Sequence, residues 1–446
     1  MESEQAGQAK VKINLTTRDA SVAVPDVPLY VPVALKRYGL SEIVNHLLGT
    51  EQAIPFDFLI NSQLLRTSLE QYLVANGLSV ESTLTLEYTK SILPPTFVAS
   101  FLHPDWVSSV SVSAAQDAIL SGGYDGVART WTISGEQSGE YTGAHSGPIK
   151  AVAWMGDRFL SAGMDRTVRL WTRGDGDDAA ARTPAVFVGH KAAVDALAAG
   201  HGSHSALFLT GSADNNVGLW TSNTKEAPTV EAAASTGAAK RRRKSTLSGR
   251  VRGAKAMLEG HTAPVSGVVF DGKDCTVGYS VSQDHTIRTH DLVTARTVDT
   301  RTTGFPLLSV AHLPELSLLC CGSSARHITL HDPRSATTAV ALGDARATQL
   351  NGHGNFVVGL APSPESTYMF ASASHDGTVR VWDVRAERAL YTIARDGETV
   401  GQKDATKVFG VDWTGGVGIV AAGEDKKVQI NRGTGLAAPA APAAAA

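Results

Sequence analysis

The chain of 446 residues is longer than one ordinary domain, because most domains contain roughly 100 to 200 residues. Hydrophobic residues make up 43% of the chain and charged residues 19%, which excludes global disorder and provides ample material for a hydrophobic core. The 40 Lys and Arg residues nearly balance the 43 Asp and Glu residues. The resulting formal net charge of -3 excludes a protein-wide positive field that would attract nucleic acid or an anionic membrane.

The cysteines and the apolar stretches exclude several further classes. Cys275, Cys320 and Cys321 are odd in number and lack the CxxC spacing of a metal site, so neither a disulfide framework nor a zinc site is supported. The most apolar stretch, residues 307–321, is interrupted by proline, histidine and glutamate, and the N-terminus lacks the apolar region of a signal peptide. We therefore expect a reducing compartment, no cofactor of the protein's own and no contact with a membrane.

Residues 1–9 are predicted to be disordered, and residues 10–91 have the pattern of a small α+β domain. In SEIVNHLLG the apolar residues fall at helical spacing, with Ser41 predicted to cap the start of the helix and Gly49 its end. The segment RTSLEQYLVANGLSVESTLTL resembles the corresponding stretch of ubiquitin. The other predicted elements are strands at VKINLTT, near Tyr30, at FDFLI and at STLTLEYT, and a short helix at LRTSLEQYL. This order predicts a β-grasp.

One phrase recurs seven times in the rest of the chain, up to residue 431. It comprises a strand of small residues, a tight turn in which an Asp accepts backbone N–H bonds, and a strand that alternates apolar and polar residues before a large terminal side chain. In the fifth copy Ala325 replaces the Asp. Each copy is therefore predicted to form a β-hairpin. The copies are SGGYDGVARTW, LSAGMDRTVRLW, LTGSADNNVGLW, YSVSQDHTIRTH, CCGSSARHITLH, SASHDGTVRVW and AAGEDKKVQIN.

A histidine precedes five of these copies, upstream of an apolar strand. The combination resembles the WD-repeat family, in which a Gly-His pair, a Ser or Thr, the turn Asp and the terminal Trp form a hydrogen-bonded tetrad in each four-stranded blade. Without the insertion described below, the copies average about 43 residues, close to the roughly 40 to 45 of such blades. Two full tetrads are His145, Ser161, Asp165 and Trp171, and His353, Ser372, Asp376 and Trp382.

The resemblance implies an all-β seven-bladed WD40 β-propeller over residues 96–431, after an N-terminal α+β ubiquitin-like (β-grasp) domain. The segment from Thr96 to Leu102 precedes the first copy, so we expect it to complete the seventh blade and to remove the open edge of the ring.

Ser, His and Asp are also the residues of a hydrolytic triad. A catalytic site is needed once, whereas this combination occurs five times at fixed spacing, so we interpret it as structural. The sequence therefore does not predict an enzyme.

Residues 222–256 form a polar insertion, which we expect to be a mobile loop between blades three and four. Its basic run is predicted to be a nuclear import signal, and the alternatives are a contact with RNA phosphates and a solvated linker. Residues 432–446 are a low-complexity tail that is predicted to be disordered. The basic run consists of Lys240, Arg241, Arg242, Arg243 and Lys244.

Several further segments narrow the resemblance. Together with the ubiquitin-like domain, which we call the head, these segments resemble the nucleolar ribosome-biogenesis WD-repeat proteins that carry such a domain. The segments are KRYGLSEIVNHLLG, SILPPTF, GYSVSQDHTI, DLVTARTVDTRTT and GSSARHITLHDPR. The resemblance implies an assembly factor for the large ribosomal subunit, which acts in pre-rRNA processing in the nucleus, nucleolus and nucleoplasm. The implied partners are pescadillo, the block-of-proliferation WD-repeat protein and the pre-ribosomal particle.

The same resemblance implies a role for Glu81. In that family the head presents one acidic side chain to the metal-ion-dependent adhesion site of midasin, an AAA ATPase, and Glu81 is the matching residue. The carboxylate would complete the coordination of Mg²⁺ held by the partner, because this hard cation prefers oxygen ligands. The head lacks a terminal Gly-Gly, which excludes conjugation. The simpler interpretation of Glu81 is an exposed turn residue.

Two other classes of function compete with this interpretation. Trp382, Asp383, Val384 and Arg385 resemble the WDxR element that some propellers offer to a cullin adaptor, which would make the protein a substrate receptor of a ubiquitin ligase. We expect Arg385 to pack or to be solvated at the end of a blade instead. An enzyme built on a propeller would need a cluster of titratable residues that is not repeated, and the sequence shows none.

Overall fold

The computed structural model describes residues 9–433 except 18–19, 26, 51–52, 62, 92–93, 114, 116, 144, 174–184, 224, 229–249, 335–348, 365, 387 and 398–404. The chain divides into two compact units at the bond between Pro94 and Pro95. Lys240–Lys244, residues 1–8 and residues 434–446 lie outside the described residues, so the predictions about them stay predictions.

The first unit is a β-grasp domain. Its elements are β1 (Lys10–Thr16), β2 (Leu29–Pro32), α1 (Arg37–Leu48), β3 (Phe56–Ile60), β4 (Gln63–Leu64), α2 (Leu69–Ala75) and β5 (Thr83–Lys90), with a 3-10 turn at Ala20–Val22. The sheet order is β2-β1-β5-β3-β4, and its two central strands, β1 and β5, run parallel. Both strands alternate apolar and polar residues, so every second side chain enters the core under the helices. The α+β ubiquitin-like fold is confirmed.

The start of α1 differs from the sequence prediction. The helix begins at Arg37, after an N-cap Lys36 that makes no side-chain cap, so the prediction that Ser41 caps the helix was wrong. Ser41 is buried inside the helix, where its Oγ donates to Ile54 O at 3.2 Å and accepts from Phe56 N at 3.1 Å. The hydroxyl therefore ties α1 to the start of β3. Gly49 ends the helix in the left-handed conformation, with φ 64°.

The second unit contains seven sheets, each of which is one blade of a WD propeller. The first strand in the chain, β6 (Thr96–Leu102), belongs to blade 7. Blade 1 contains β7 (Val107–Val112), β8 (Ala118–Gly123), β9 (Ala128–Thr132) and β10 (Gln137–Tyr141). Blade 2 contains β11 (Ile149–Met155), β12 (Arg158–Gly163), β13 (Thr167–Thr172) and β14 (Ala185–Val188). Blade 3 contains β15 (Val194–Ala199), β16 (Leu207–Ser212) and β17 (Val217–Thr221), with a 3-10 turn at Gly202–His204.

One strand in the insertion adds a fifth strand to blade 2 and another completes blade 3, and the remaining blades follow in chain order. The insertion strands are β18 (Arg250–Arg252) in blade 2 and β19 (Ala256–Leu258) in blade 3. Blade 4 contains β20 (Val265–Phe270), β21 (Val277–Ser282), β22 (Thr286–Asp291) and β23 (Arg296–Thr302), and blade 5 contains β24 (Leu307–Leu313), β25 (Leu318–Ser323), β26 (His327–His331) and β27 (Gln349–Asn351). Blade 6 contains β28 (Val357–Pro362), β29 (Met369–Ser374), β30 (Thr378–Asp383) and β31 (Tyr391–Ala394). Blade 7 contains β32 (Val408–Thr414), β33 (Gly418–Gly423) and β34 (Lys427–Arg432), in addition to β6.

The first strand of each blade lies innermost, and these seven strands contact one another in order around the ring. Strand β32 of blade 7 contacts β7 of blade 1, which closes the ring. The outer strand of blade 7 is β6, which pairs antiparallel with β34 from Leu102 opposite Lys427 to Thr96 opposite Arg432. The predicted seven-bladed β-propeller is confirmed, and its two chain ends close one blade.

The glycine-rich and alanine-rich strands are the second strands of the blades, which neighbouring blades cover on both faces. In β8, β29 and β33 all six residues are buried. A Cβ atom at Gly122 would lie 2.7 Å from Cγ2 of Ile149 in the next blade, so glycine is required for the blades to approach this closely. Small residues in these strands therefore set the spacing of the blades.

The insertion differs from its prediction in two respects. It lies within blade 3, between β17 and its outer strand β19, and not between blades three and four. Residues 222–256 also do not form a loop throughout, because β18 pairs in parallel with β14 of blade 2 and adds a fifth strand to that sheet. Paired β-strand backbone makes its own hydrogen bonds, so this part of the insertion is held on the rim of blade 2.

Candidate partner-binding surfaces

Glu81 lies in the turn between α2 and β5. Two backbone hydrogen bonds hold this turn, from Leu78 N to Leu73 O at 2.9 Å and from Ser82 N to Ser79 O at 3.1 Å. The Glu81 side chain is exposed and makes no hydrogen bond or ion pair with any other described residue. A carboxylate without an internal partner, on a fixed turn, is free to bind a cation held by another protein.

Apolar side chains near Glu81 in sequence are also exposed. Val74 on α2 is 76% exposed, and Leu78 and Val80 in the turn are 39% and 40% exposed. An exposed acid next to apolar side chains is typical of a protein interface, in which apolar contacts surround a few polar ones. The turn therefore has the composition of a contact surface.

The tetrad of blade 2 forms one connected set of hydrogen bonds. Nδ1 of His145 lies 3.0 Å from Oδ2 of Asp165, and Nε2 lies 2.7 Å from Oγ of Ser161. Nε1 of Trp171 donates to the same Ser161 oxygen at 2.7 Å. Burial alone would raise the pKa of Asp165, but hydrogen bonds from His145 and Thr167 lower this pKa to about 2. The Asp165 carboxylate is therefore ionised, and its oxygens accept hydrogen bonds inside the blade.

Blade 6 contains the same arrangement. His353 Nδ1 lies 2.8 Å from Oδ2 of Asp376, its Nε2 lies 2.6 Å from Oγ of Ser372, and Trp382 Nε1 donates to that oxygen at 2.7 Å. Burial lowers the pKa of His353, although Asp376 opposes this, so the imidazole is neutral at pH 7. Its Nδ1–H then donates to Asp376 and its Nε2 accepts from Ser372. The polar atoms satisfy one another, which leaves none for catalysis.

Each tetrad connects two neighbouring blades. His145 follows β10 of blade 1 and bonds to Ser161 on β12 of blade 2, and His353 follows β27 of blade 5 and bonds to Ser372 on β29 of blade 6. Blade 3 has the same connections, and so does blade 4, where His290 replaces the Trp and lies 2.8 Å from Ser280. The tetrads thus hold the ring together, which is a structural role.

Blades 1 and 7 depart from the pattern. In blade 1 the Asp125 carboxylate pairs with Arg129 at 2.7 Å, while His103 Nδ1 contacts the Phe101 carbonyl oxygen at 3.2 Å. In blade 7 Arg395 follows β31, where other blades have histidine, and forms two hydrogen bonds with Asp425. Arg395 was not predicted from the sequence, because only its position after an outer strand could have indicated it.

The WDxR element presents little of its arginine to solvent. Arg385 donates to both carboxylate oxygens of Asp383, with Nε 3.0 Å from Oδ1 and NH2 2.8 Å from Oδ2. Its guanidinium group also lies 4.1 Å from the centre of the Tyr368 ring. The expectation that Arg385 packs at the end of a blade agrees with this geometry, which leaves little of the side chain for an adaptor.

The described residues hold no group of three or more His, Cys, Asp and Glu side chains that could bind a metal ion. None of their helices has both the length and the apolar character needed to cross a bilayer. The basic run at 240–244 lies outside the described residues, and only the residues that flank it on the rim of blades 2 and 3 are placed.

The fold defines a WD-repeat propeller protein with a ubiquitin-like head. The family model "NLE (NUC135) domain" matches residues 11–73, and the model "WD domain, G-beta repeat" matches residues 95–132, 135–172, 182–221 and 345–383. Each of the four WD matches ends one residue after a repeat tryptophan. The NLE match ends at Leu73, before Glu81.

Proteins named "Ribosome biogenesis protein YTM1" are similar to this chain over nearly its whole length. The protein from Candida albicans is 49% identical over 97% of this chain and 99% of its own length. Those from Kluyveromyces lactis and Saccharomyces cerevisiae are 50% and 47% identical, over 96% and 97% of this chain and 98% and 99% of their own lengths. The chain therefore belongs to the YTM1 family of ribosome biogenesis proteins.

Proposed function

We propose that this protein is a non-enzymatic assembly factor of the large ribosomal subunit, which acts in pre-rRNA processing and maturation in the nucleolus and nucleoplasm. Its membership in a family of ribosome biogenesis proteins supports the process. The hydrogen-bond sets of the blades support the absence of catalysis, because each Ser, His and Asp combination is repeated and satisfied internally.

The head is the part of the protein that midasin binds. Glu81 supplies a carboxylate oxygen to Mg²⁺ in the adhesion site of that ATPase, so the cation belongs to the partner and this protein needs no cofactor of its own. The observation that carries this proposal is the exposed carboxylate of Glu81, which has no partner among the described residues. ATP-driven pulling on this contact then releases the protein and its complex from the pre-ribosome.

The propeller acts as the docking platform for the block-of-proliferation WD-repeat protein, and through it for pescadillo. A closed ring of seven blades gives a rigid surface large enough for a specific interface, since such interfaces bury roughly 800 Å² on each partner. The basic run at 240–244 directs nuclear import, and direct contact with ribosomal RNA is the second use of the same charges.

The experiment uses the full-length protein, the adhesion domain of midasin and the propeller of the WD-repeat partner. We expect Glu81→Ala to abolish capture of the adhesion domain and to leave capture of the partner propeller unchanged. Glu70→Ala is the matched control, because Glu70 is also an exposed acid of the head and lies on α2. Undiminished capture of the adhesion domain by Glu81→Ala would contradict the proposal.

A further inference from the structure

An open cavity of about 480 Å³ lies at one end of the central channel of the propeller. The residues that line it come mostly from the ends of the innermost strands of five blades, which are β7, β11, β15, β28 and β32. Cavities that bind small molecules have volumes of roughly 300 to 1,000 Å³. This end of the channel is therefore large enough to hold a ligand.

The wall of this cavity is mostly apolar and contains one ionisable side chain. Leu197, Leu360, Pro362 and the ring of Trp154 are among its larger residues. Asp412 on β32 is the one acid or base among the described residues that line the cavity. A ligand complementary to this wall has an apolar body and a single charged group, and that group is cationic.

The Asp412 carboxylate is held between two blades by backbone donors. Its Oδ2 accepts a hydrogen bond from Val112 N of blade 1 at 2.7 Å, and its Oδ1 accepts one from Trp413 N of blade 7 at 2.8 Å. Both donors are neutral N–H groups. They orient the carboxylate, but its negative charge is left without a cation.

The surroundings of Asp412 differ from those of the other buried acids. Burial raises the pKa of Asp412, and the two backbone donors oppose this rise. Asp195 on β15 is also buried, but Lys150 opposes the effect of burial on its pKa, and Asp425 pairs with Arg395. No described residue supplies such a counter-charge to Asp412, which keeps part of its surface open. A cation in the cavity would therefore be attracted to it.

A metal ion fits the cavity poorly. Zn²⁺ and Ca²⁺ are held in proteins by several ligands, and the described residues contain no group of three or more His, Cys, Asp and Glu side chains that could bind a metal ion. An organic cation on an alkyl stem needs one carboxylate for its charge and an apolar wall for its stem. Asp412 and the side chains around it provide both.

We propose that this end of the channel binds an alkylammonium or alkylguanidinium group, whose charge pairs with Asp412 and whose stem lies against the apolar wall. Two sources carry this group, the lysine or arginine side chain of another protein and a free polyamine. The site lies in the propeller, so it is independent of Glu81 and adds a ligand to the proposed function.

The test measures binding of n-butylammonium to the full-length protein by ligand-observed nuclear magnetic resonance at constant NaCl concentration. We expect a millimolar or lower dissociation constant, as is usual for so small a ligand. The uncharged n-butanol should bind at least about tenfold more weakly, because it cannot neutralise the carboxylate. Butyrate, which has the same stem and a negative charge, should bind more weakly still. Equal binding of n-butanol and n-butylammonium would overturn the proposal.

Two variants locate the site. Asp412→Asn removes the charge and should weaken n-butylammonium binding at least about tenfold. Ser111→Lys keeps Asp412 and introduces a competing ammonium group next to Val112 in the cavity wall, so it should weaken binding similarly. The control is Asp195→Asn, which removes an acid that does not line the cavity and should bind normally.

The melting temperature of each variant separates loss of binding from loss of fold. Unchanged binding by both Ser111→Lys and a folded Asp412→Asn would overturn the proposal, and Ser111→Lys decides alone if Asp412→Asn does not fold. Spermidine and acetyl-Gly-Lys-Gly-amide then distinguish the two sources. Tighter binding of the peptide supports a protein side chain as the occupant, tighter binding of spermidine supports a free polyamine, and failure of both to displace n-butylammonium would overturn the proposal.

Discussion

Arg395 donates two hydrogen bonds to the Asp425 carboxylate, from Nε to Oδ2 at 2.9 Å and from NH2 to Oδ1 at 2.7 Å. Arg395 is 3% exposed, and it also donates to the carbonyl oxygens of Ala421 and Lys427. Arg395 follows the outer strand of blade 6 and hydrogen-bonds to Asp425 in blade 7. It therefore connects blade 7 to its neighbour, as a histidine does for blades 2, 3, 4 and 6. An arginine reaches the same Asp position with a permanent charge, which histidine lacks at pH 7.

Replacement of this arginine should destabilise the ring strongly. We expect Arg395→Ala to lower the free energy of unfolding by about 3 kcal/mol or more, because it leaves the Asp425 carboxylate without its partner inside the protein. Urea denaturation of the unaltered and variant proteins measures the difference. The control is Arg173→Ala, which removes an exposed ion pair with Asp117 and should cost less than about 1 kcal/mol. Equal effects of the two variants would show that Arg395 does not hold the blades.

Buried neutral histidines predict acid sensitivity of the propeller. Burial lowers the pKa of His290 to about 3 and those of His103 and His331 to about 4. Each histidine has an ordinary pKa near 6.5 in the unfolded chain, so the unfolded chain takes up protons first as the pH falls. Stability is therefore full above about pH 6.5 and is lost between pH 6.5 and 4. Asp165, with its pKa lowered to about 2, adds a further loss below about pH 4.

The variant His290→Gln removes one of these titrating groups and keeps a hydrogen-bond donor. We expect the unaltered protein to lose about 3 kcal/mol from His290 alone between pH 7 and pH 4, and the variant to lose correspondingly less. Urea denaturation at several pH values measures both. The exposed His201 provides the control, since His201→Gln should run parallel to the unaltered protein. Parallel curves for His290→Gln would contradict the assignment of the pH dependence to this residue.

The closing strand β6 should be essential for the ring. A fragment of residues 95–432 keeps β6 and should fold, whereas a fragment of residues 104–432 leaves the edge of β34 without its partner strand. We expect the shorter fragment to aggregate or to lose the cooperative unfolding transition. Size-exclusion chromatography and circular dichroism distinguish the two outcomes. A shorter fragment that stays monomeric and unfolds at the same temperature would mean that the ring does not depend on this strand.

The basic run should control nuclear entry. Replacement of residues 240–244 by alanine is expected to reduce the nuclear fraction of a fluorescent fusion several-fold, because import receptors bind clusters of lysine and arginine. The control replaces the exposed Lys225 and Lys255, which flank the run, and should leave localisation unchanged. Retained nuclear accumulation after loss of the run would show that the protein enters by another route, such as with a partner.

The repeat architecture could be predicted because its signals are local. A turn Asp, a strand of small residues and a terminal ring lie within about a dozen residues, and their chemistry specifies one hairpin wherever they occur. The seven copies therefore predicted seven blades, and Thr96–Leu102 could be assigned to the last one. The histidine and the Asp that it contacts, as in His145 and Asp165, were also recognisable because their separation is nearly constant.

Other features depend on contacts between distant residues and left no local signal. Arg395 lies 30 residues before Asp425 and changes the chemistry of a repeated position. The sequence pattern predicts that Ser41 caps α1, but its hydroxyl accepts a hydrogen bond from Phe56 N at the start of β3. The three residues of β18 are too few to show an alternating pattern, and their partner β14 lies far away in sequence.

The most direct test of the account concerns the carboxylate of Glu81. The affinity of the full-length protein for the adhesion domain of midasin is measured by calorimetry with Mg²⁺ and after its removal by a chelator, for the unaltered protein and for Glu81→Gln. We predict tight binding for the unaltered protein with Mg²⁺ only, and a loss of at least about a hundredfold for the variant, whose amide is a neutral and weaker ligand. Equal affinity of Glu81→Gln, or binding that survives removal of Mg²⁺, would contradict the account.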